Sequence, residues 1–179
     1  MDSINKQQEE ENFKDLVGLE IIEKIKDAND KSKSCFFCTS IRTGEKFATR
    51  PMSVQKIDDK GNLWFLSAVD SHKNKQIELN PAVQLLFKGS DYSDFLTLYG
   101  QASITTDKEI IKELWGPILK TWFTDGVNDK RITVIKVTPT DGYYWDTKHG
   151  ETVAFAKQMV GAMLGKTLDD SIEGNLKFV

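Results

Sequence analysis

The run FATRPMSVQKIDDKGNLWFLSAV, Phe47 to Val69, consists of two strand-like segments joined by the turn-forming DDKGN. A connection that short joins strands running in opposite directions, because a parallel crossover needs about a dozen residues or more. The hairpin commits this part of the chain to antiparallel pairing and does not fit repeated βαβ units. Pro51 adds a second constraint. It has no N–H to give to a ladder, so its strand must be an edge, bulged, or split at that point.

The surrounding sequence alternates between helical and strand spacing. Phe13, Leu16, Val17, Ile21, Ile22 and Ile25 recur at helical spacing and predict a helix from about Glu9 to Asn29. SCFFCTSI (Ser34 to Ile41) then reads as a strand ending at RTGEK, where Gly44 suits a tight turn. Ser71 can cap a short helix, HKNKQIELN, which stops before Pro81. PAVQLLFKG and DFLTLYGQASITT read as two more strands. Thr106 or Asp107 can start the helix KEIIKELWGPILKTWF, which Pro117 should kink or split. RITVIKVTPTDGYYWD is a last long strand, expected to be interrupted near Pro139. A helix over ETVAFAKQMVGAMLGK and a loose tail follow. The order is α+β, mainly β, with about six strands closing or half-closing into a barrel.

The 179 residues, 39% of them hydrophobic, fit one domain spanning 1–179, with loose ends at about 1–10 and 167–179. A formal charge of −3, with lysines interleaved among acids, argues against a nucleic-acid surface. No apolar run approaches the ~20 residues that cross a bilayer. MDSINKQQEEEN lacks the basic start and apolar centre of a secretory signal, so a cytoplasmic location is expected.

Two groupings invite a chemical reading. At Ser71-His72-Lys73 a helix N-terminus, a hydroxyl and a lysine coincide, and Arg50 lies one strand away across the hairpin. A first-turn lysine opposes the helix dipole unless an anion is near, and arginine offers a planar fork of donors. Together these would hold a phosphate, but the pattern alone favours the plainer reading, in which Ser71 caps the helix and the two cations are solvated. The CFFC of Cys35 to Cys38 resembles a redox motif, but on a strand those side chains face opposite ways, roughly 10 Å apart. Core packing is the better reading. The two cysteines and two histidines are too scattered for a metal site. There is no Gly-rich phosphate loop and no nucleophile-elbow serine. Trp115 and Trp122 lie seven apart, as if on one helix face, and with Trp64 they read as core or interface material. Trp145, near the end of the last strand, could cover a flat ligand ring.

With RPMSV, the turn, WFLSA and SHK in view, the chain resembles the pyridoxamine-phosphate-oxidase-like split-barrel flavoproteins, nearest their bacterial general stress protein branch. The further marks are the YGQA strand and WGPILKTWF followed by DG, and the likeness runs from about Leu16 to Lys166. The resemblance implies a homodimer of six-stranded antiparallel split barrels with peripheral helices and FMN at the subunit interface. By that likeness Arg50 and Lys73 hold the FMN phosphate, helped by Ser71 and His72. The backbone of Met52, Ser53 and Val54 follows the isoalloxazine edge, and Phe65 and Ser67 line the ribityl and ring side. Gln101, Trp115 and Trp145 of the partner face the ring. No arginine follows Arg131, so the additional C-terminal groups of true pyridoxamine phosphate oxidases are missing and that oxidation is not expected. The expected function is an FMN-binding, general-stress-type flavoprotein, a flavin-dependent oxidoreductase of unspecified substrate. The alternatives are a non-catalytic flavin-binding or regulatory dimer, or a split barrel with deazaflavin or haem. No catalytic residue and no metal ligand is indicated.

Overall fold

The computed structural model describes residues 12–41, 46–90, 94–150, 153, 154, 156, 157, 159 and 170–178. The turn expected at Gly44 lies outside them, as does most of the helix expected over ETVAFAKQMVGAMLGK. No described helix is long and apolar enough to cross a membrane. Among the described residues there are nine strands, three more than the six expected.

The chain divides into two compact units, one of which is formed by Lys33–Leu85 and Tyr99–Thr140. It contains β2 (Ser34–Thr39), β3 (Ala48–Ser53), β4 (Lys56–Ile57), β5 (Leu63–Ala68) and parts of β6 (Ala82–Lys88), β7 (Phe95–Thr105) and β8 (Ile132–Thr147). Their order is β3-β2-β6-β7-β8-β5-β4. β2 and β3 are antiparallel, with Phe36 opposite Pro51. β5 is antiparallel to β4 and to β8, and Leu63 faces Val137 in the latter pair. Pro51 thus sits in the terminal strand of the order, where its missing N–H deprives no second neighbour. The chain leaves β3 at Ser53 and resumes as β4 at Lys56, so the long run is split as well.

The interior of this unit is built on Phe37 and Phe65, both fully buried, edge to face with centroids 5.2 Å apart. Burying a large apolar side chain of this kind contributes about 1.5–3 kcal/mol. Helix α2 (His72–Leu79) starts at its Ser71 cap as expected. Helix α3 (Lys108–Leu114) starts at Asp107, whose carboxylate accepts from the backbone N–H groups of Glu109 and Ile110. Pro117 then opens a separate 3-10 turn, Pro117–Thr121. Trp115 and Trp122 therefore do not share a helix face; the seven-residue spacing loses its meaning at the break. Ile111, Leu114, Leu119 and Phe123 pack with Leu66, Ile132 and Val134 in a second apolar cluster.

The other unit comprises the described parts of Met1–Ser32, Leu86–Leu98 and Asp141–Val179. β1 (Leu16–Val17), β9 (Ser171–Lys177) and the remaining parts of β8, β7 and β6 lie in the order β1-β9-β8-β7-β6, with α1 (Leu19–Ser32). Two expectations are corrected here. The first helix begins at Leu19, not near Glu9, because Gly18 turns the chain at φ +56 and Leu16–Val17 pair in parallel with Leu176–Lys177. The tail beyond residue 170 is not loose: β9 runs antiparallel to β8, with Gly142 opposite Leu176 and Thr147 opposite Ser171. Its sequence SIEGNLK alternates, but offers only Ile172 and Leu176 as large apolar residues with Gly174 between them, so the strand owes more to pairing than to its local pattern. β8 itself is continuous past Pro139. Pro139 falls after the stretch paired with β5, which ends at Val137, and before the stretch paired with β9, which begins at Gly142.

Candidate functional site

The site is built around the first turn of α2. Ser71, with extended dihedrals of −68° and 145°, accepts a hydrogen bond from the backbone N–H of Asn74. The Asn74 side chain is buried and closes a ring of neutral groups. Its carbonyl accepts from Ser67 Oγ at 2.8 Å and Ser71 Oγ at 3.1 Å, and its Nδ2 donates to Thr133 Oγ1 at 2.8 Å. Thr133 in turn donates to the Ser67 carbonyl at 3.1 Å. The ring ties α2 to β5 and β8 and fixes where the next side chain, Lys73, leaves the helix.

Arg50 reaches the same helix from β3. Its guanidinium donates to Thr39 Oγ1 at 2.9 Å and to Gln76 Oε1 at 3.0 Å, and Thr39 also donates to Gln76 at 2.6 Å. Gln76 stands three residues beyond Lys73, on the same side of α2. Burial lowers the pKa of Arg50. Burial, and secondly the Arg50 charge, also push the Lys73 ammonium below the ordinary lysine value. Among the described residues neither cation has a carboxylate partner. Two half-buried cations, one of them lowered by burial and by the other's charge, with no described carboxylate between them, could accommodate an anion.

Beside Lys73 opens a cavity of about 390 Å³. That volume falls within the ~300–1,000 Å³ range of small-molecule sites. One wall is the end of β3 and the chain after it, through Pro51, Met52, Ser53 and Gln55. β3 pairs only with β2, so its outer edge keeps backbone donors and acceptors free of any described strand. A second wall is the end of β5, with Leu66, Ser67 and Ala68. The third comes from the 3-10 segment and the two residues after it, through Leu119, Trp122 and Phe123.

Of the residues expected at a site, Met52, Ser53, Ser67 and Lys73 line this cavity. Arg50 acts on it through its charge on Lys73. Ser71 serves the helix cap, and His72 is exposed in the first turn of α2. Val54 lies in the break between β3 and β4 and does not line the cavity. Phe65 does not line it either, because its ring is committed to Phe37. Gln101 is exposed on β7. Trp115 is half-buried against Phe123, with ring centroids 6.5 Å apart. Trp145, in the other unit, packs on Tyr143 at 4.7 Å. Leu119, Trp122 and Phe123 were not expected as lining residues. The signal was present at Pro117, whose break in the helix turns the next aromatic pair out of a simple amphipathic register.

Cys35 and Cys38 are free and buried, and burial raises the Cys35 thiol strongly, which makes it inert. In the other unit Asp27, Asp94 and Asp146 bring carboxylate oxygens within 4.8 Å of one another. Lys24 and Lys31 already neutralise them: Lys31 is 2.9 Å from Asp27 and 3.1 Å from Asp94, and Lys24 bonds Asp146.

The family described as pyridoxamine 5'-phosphate oxidase like matches residues 20–169 of the chain. A protein of Neurospora crassa, bli-3, is 28% identical over 105 residues, 54% of this chain and 50% of that one. The chain thus spans about half the length of that curated relative. Among solved structures, a protein described as general stress protein 26 from Jannaschia sp. CCS1 superposes with a TM-score of 0.72 at 23% identity, covering 89% of this chain and 99% of that one. The general stress protein 26 of Bacillus anthracis gives 0.59 at 26% identity over 69% and 92%. A general stress FMN/FAD binding protein of Xanthomonas citri gives 0.58 at 21% identity over 68% and 84%. These likenesses place the mainly antiparallel sheet among split barrels, the fold class expected from the sequence.

Proposed function

The chain belongs to the pyridoxamine 5'-phosphate oxidase-like family, and from that premise we propose that it binds FMN in the cavity beside Lys73 and serves as a flavin-dependent oxidoreductase. The observation that carries this is the pair Arg50 and Lys73, two half-buried cations with no described carboxylate partner, next to a cavity with a free strand edge. The donor set fits the group: a phosphate needs cations and N–H donors, and a flat ring system needs an apolar slot with a few in-plane hydrogen bonds. Lys73 and Arg50 would hold the phosphate. The backbone of Met52 and Ser53 would meet the ring edge, and Leu66, Leu119 and Phe123 would keep water from its surroundings. The Xanthomonas relative's description as an FMN/FAD binding protein supports the same reading.

FMN, when bound, supplies the electron-carrying chemistry. The chain's own residues bind and orient. Lys73 keeps its proton close to the anion it would pair with, which restores the lysine toward its ordinary basicity. The absence of any arginine after Arg131 still argues against pyridoxamine phosphate as substrate. We further propose a cytoplasmic homodimer; light scattering of the purified protein would test the dimer.

The deciding experiment is a visible-absorbance titration of the purified chain with FMN, followed by NADH or NADPH. Binding should fall at least tenfold in Arg50→Ala combined with Lys73→Ala. Unchanged affinity in that double variant would remove the phosphate assignment, and bound flavin that no nicotinamide donor reduces would remove the oxidoreductase reading.

A further inference from the structure

Trp122 is the part of the cavity wall that a phosphate clamp does not use. The residue is 61% exposed, although it borders a built cavity. The other three tryptophans each have a partner. Trp64 donates its Nε1 to Asp58 at 3.1 Å and lies under the Lys136 ammonium at 5.5 Å. Trp115 packs on Phe123, and Trp145 packs on Tyr143. No hydrogen bond or ring contact joins the Trp122 side chain to any described residue.

The exposure is not looseness of the backbone. The Trp122 N–H donates to the Leu119 carbonyl at 3.0 Å, and its own carbonyl accepts from Arg131 Nη2 at 3.3 Å. Arg131 is itself held by the buried Asp129, through Nη2 at 2.7 Å and Nε at 3.1 Å. Its guanidinium also lies 6.0 Å from the Phe123 ring centre. An indole with a fixed main chain and a bare face, at the edge of a cavity, has the features of a binding anchor: large apolar area and few rotatable bonds to order.

We propose that Trp122 is the stacking face for the flat heteroaromatic ring of the ligand, so that the cavity selects a fused ring system over a phosphate ester lacking one. The proposal rests on the reading that this cavity takes FMN, and it adds the residue that recognises the ring. Stacking of a heteroaromatic ring on an aromatic side chain changes affinity by roughly fivefold to a hundredfold.

The test titrates the full chain and its Trp122→Leu and Trp122→Phe variants with FMN, with riboflavin, which lacks the phosphate, and with inorganic phosphate. Flavin fluorescence is read throughout. The wild type should bind both flavins and quench them. Trp122→Leu should lose about tenfold in affinity for FMN and riboflavin alike, with brighter bound flavin. Trp122→Phe should recover most of the affinity without the full quenching, and protection by phosphate against thermal unfolding should be equal in all three. If FMN binds the wild type and Trp122→Leu matches it in affinity and fluorescence, the stacking role is overturned while the FMN reading stands. If the wild type binds neither flavin, both fall. Should Trp122→Leu fail to fold, Trp122→Phe decides: quenching equal to the wild type overturns the proposal.

Discussion

Lys73 is held on the same side of α2 as Gln76, the residue that anchors Arg50, so two cations share one end of the helix with no carboxylate between them. The arrangement costs stability, and the proposed binding role would be what it gives in return. Because burial and Arg50 lower the Lys73 pKa, the folded chain binds protons there less readily than the unfolded chain does. The penalty is present at neutral pH and is relieved as pH rises through the lowered value toward ~10.4, the ordinary lysine value. Lys73→Met should therefore raise the melting temperature of the ligand-free protein, by about 2–4 °C for a chain of this size. The same variant should lose stabilisation by added phosphate. Thermal melts with and without phosphate at roughly 10 mM check both; a variant that melts lower and still responds to phosphate would contradict the assignment.

The position of Lys73 depends on Asn74. Its side chain satisfies Ser67, Ser71 and Thr133 at once, in a buried setting. Asn74→Ala would take one hydrogen bond from each of these hydroxyls, at about 0.5–1.5 kcal/mol apiece, while Ser67 and Ser71 keep each other and Thr133 keeps the Ser67 carbonyl. We expect a loss of about 2–4 kcal/mol in urea unfolding, together with weaker FMN binding by the folded fraction. Ser71→Ala removes the cap and one outer member of the ring but leaves the Ser67–Asn74–Thr133 bonds in place, and should cost only about 1 kcal/mol. Equal costs for the two variants would show that the ring of hydrogen bonds does not act as a unit.

These residues also show how far the sequence could be read. The Ser71 cap, the edge-strand Pro51 and the break at Pro117 follow from local rules: a hydroxyl before a helix, a missing N–H, a ring that cannot continue a helix. A first-turn lysine is electrostatically out of place, but the pattern alone favours a capped helix with solvated cations, and only the family likeness points to a phosphate clamp. What local rules do not contain is pairing at a distance. β9 and β1 exist because Leu176 meets Leu16 and Gly142, and neither SIEGNLK nor LV carries enough large apolar residues to announce it. Trp122 escaped for a related reason: a helical repeat was extended across a proline that ends it.

A different pH response belongs to the unit that holds Lys24, Asp94 and Asp146. Burial, then the hydrogen bond it shares with Asp146, raises the Asp94 carboxyl. Burial also works to raise Asp146, but its bonds with Asp94 and Lys24 outweigh it and hold that carboxyl low. The folded chain thus keeps a proton on Asp94 that the unfolded chain releases. Its contribution is full below ~3.9, the unfolded carboxylate value, and fades as pH rises through the folded value. Asp146 acts in the opposite window, contributing above ~3.9 and losing its share on acidification. Asp94→Asn keeps a donor at every pH. It should flatten the decline in stability on going from about pH 4.5 to pH 7.5; urea midpoints at those two values would be compared, and a slope identical to the wild type would count against the shared proton. Lys24→Met should cost more, about 3–5 kcal/mol, because it leaves Asp146 without its cation and Asp94 with Lys31 alone.

Whether the tail is part of the fold can be tested at Gly174. The residue has no left-handed φ to protect, so a change to alanine would ordinarily be neutral or slightly stabilising. Here a Cβ would stand 1.8 Å from the Lys14 carbonyl oxygen and 2.5 Å from its carbon. Neither atom can yield without disturbing the bonds that surround it. Lys14 N–H donates to Glu173 O at 2.9 Å, Glu173 N–H donates to Asn12 O at 3.0 Å, and Tyr144 donates its hydroxyl to Lys14 O at 2.9 Å. Gly174→Ala should therefore cost about 2–4 kcal/mol, well beyond a typical surface change. The loss should be local in origin: hydrogen exchange of residues 12–17 and 171–177 should accelerate first, while the amides of β5 and α2 remain protected. Uniform exchange across all these segments, or none gained, would mean that β9 is not anchored by its approach to Lys14.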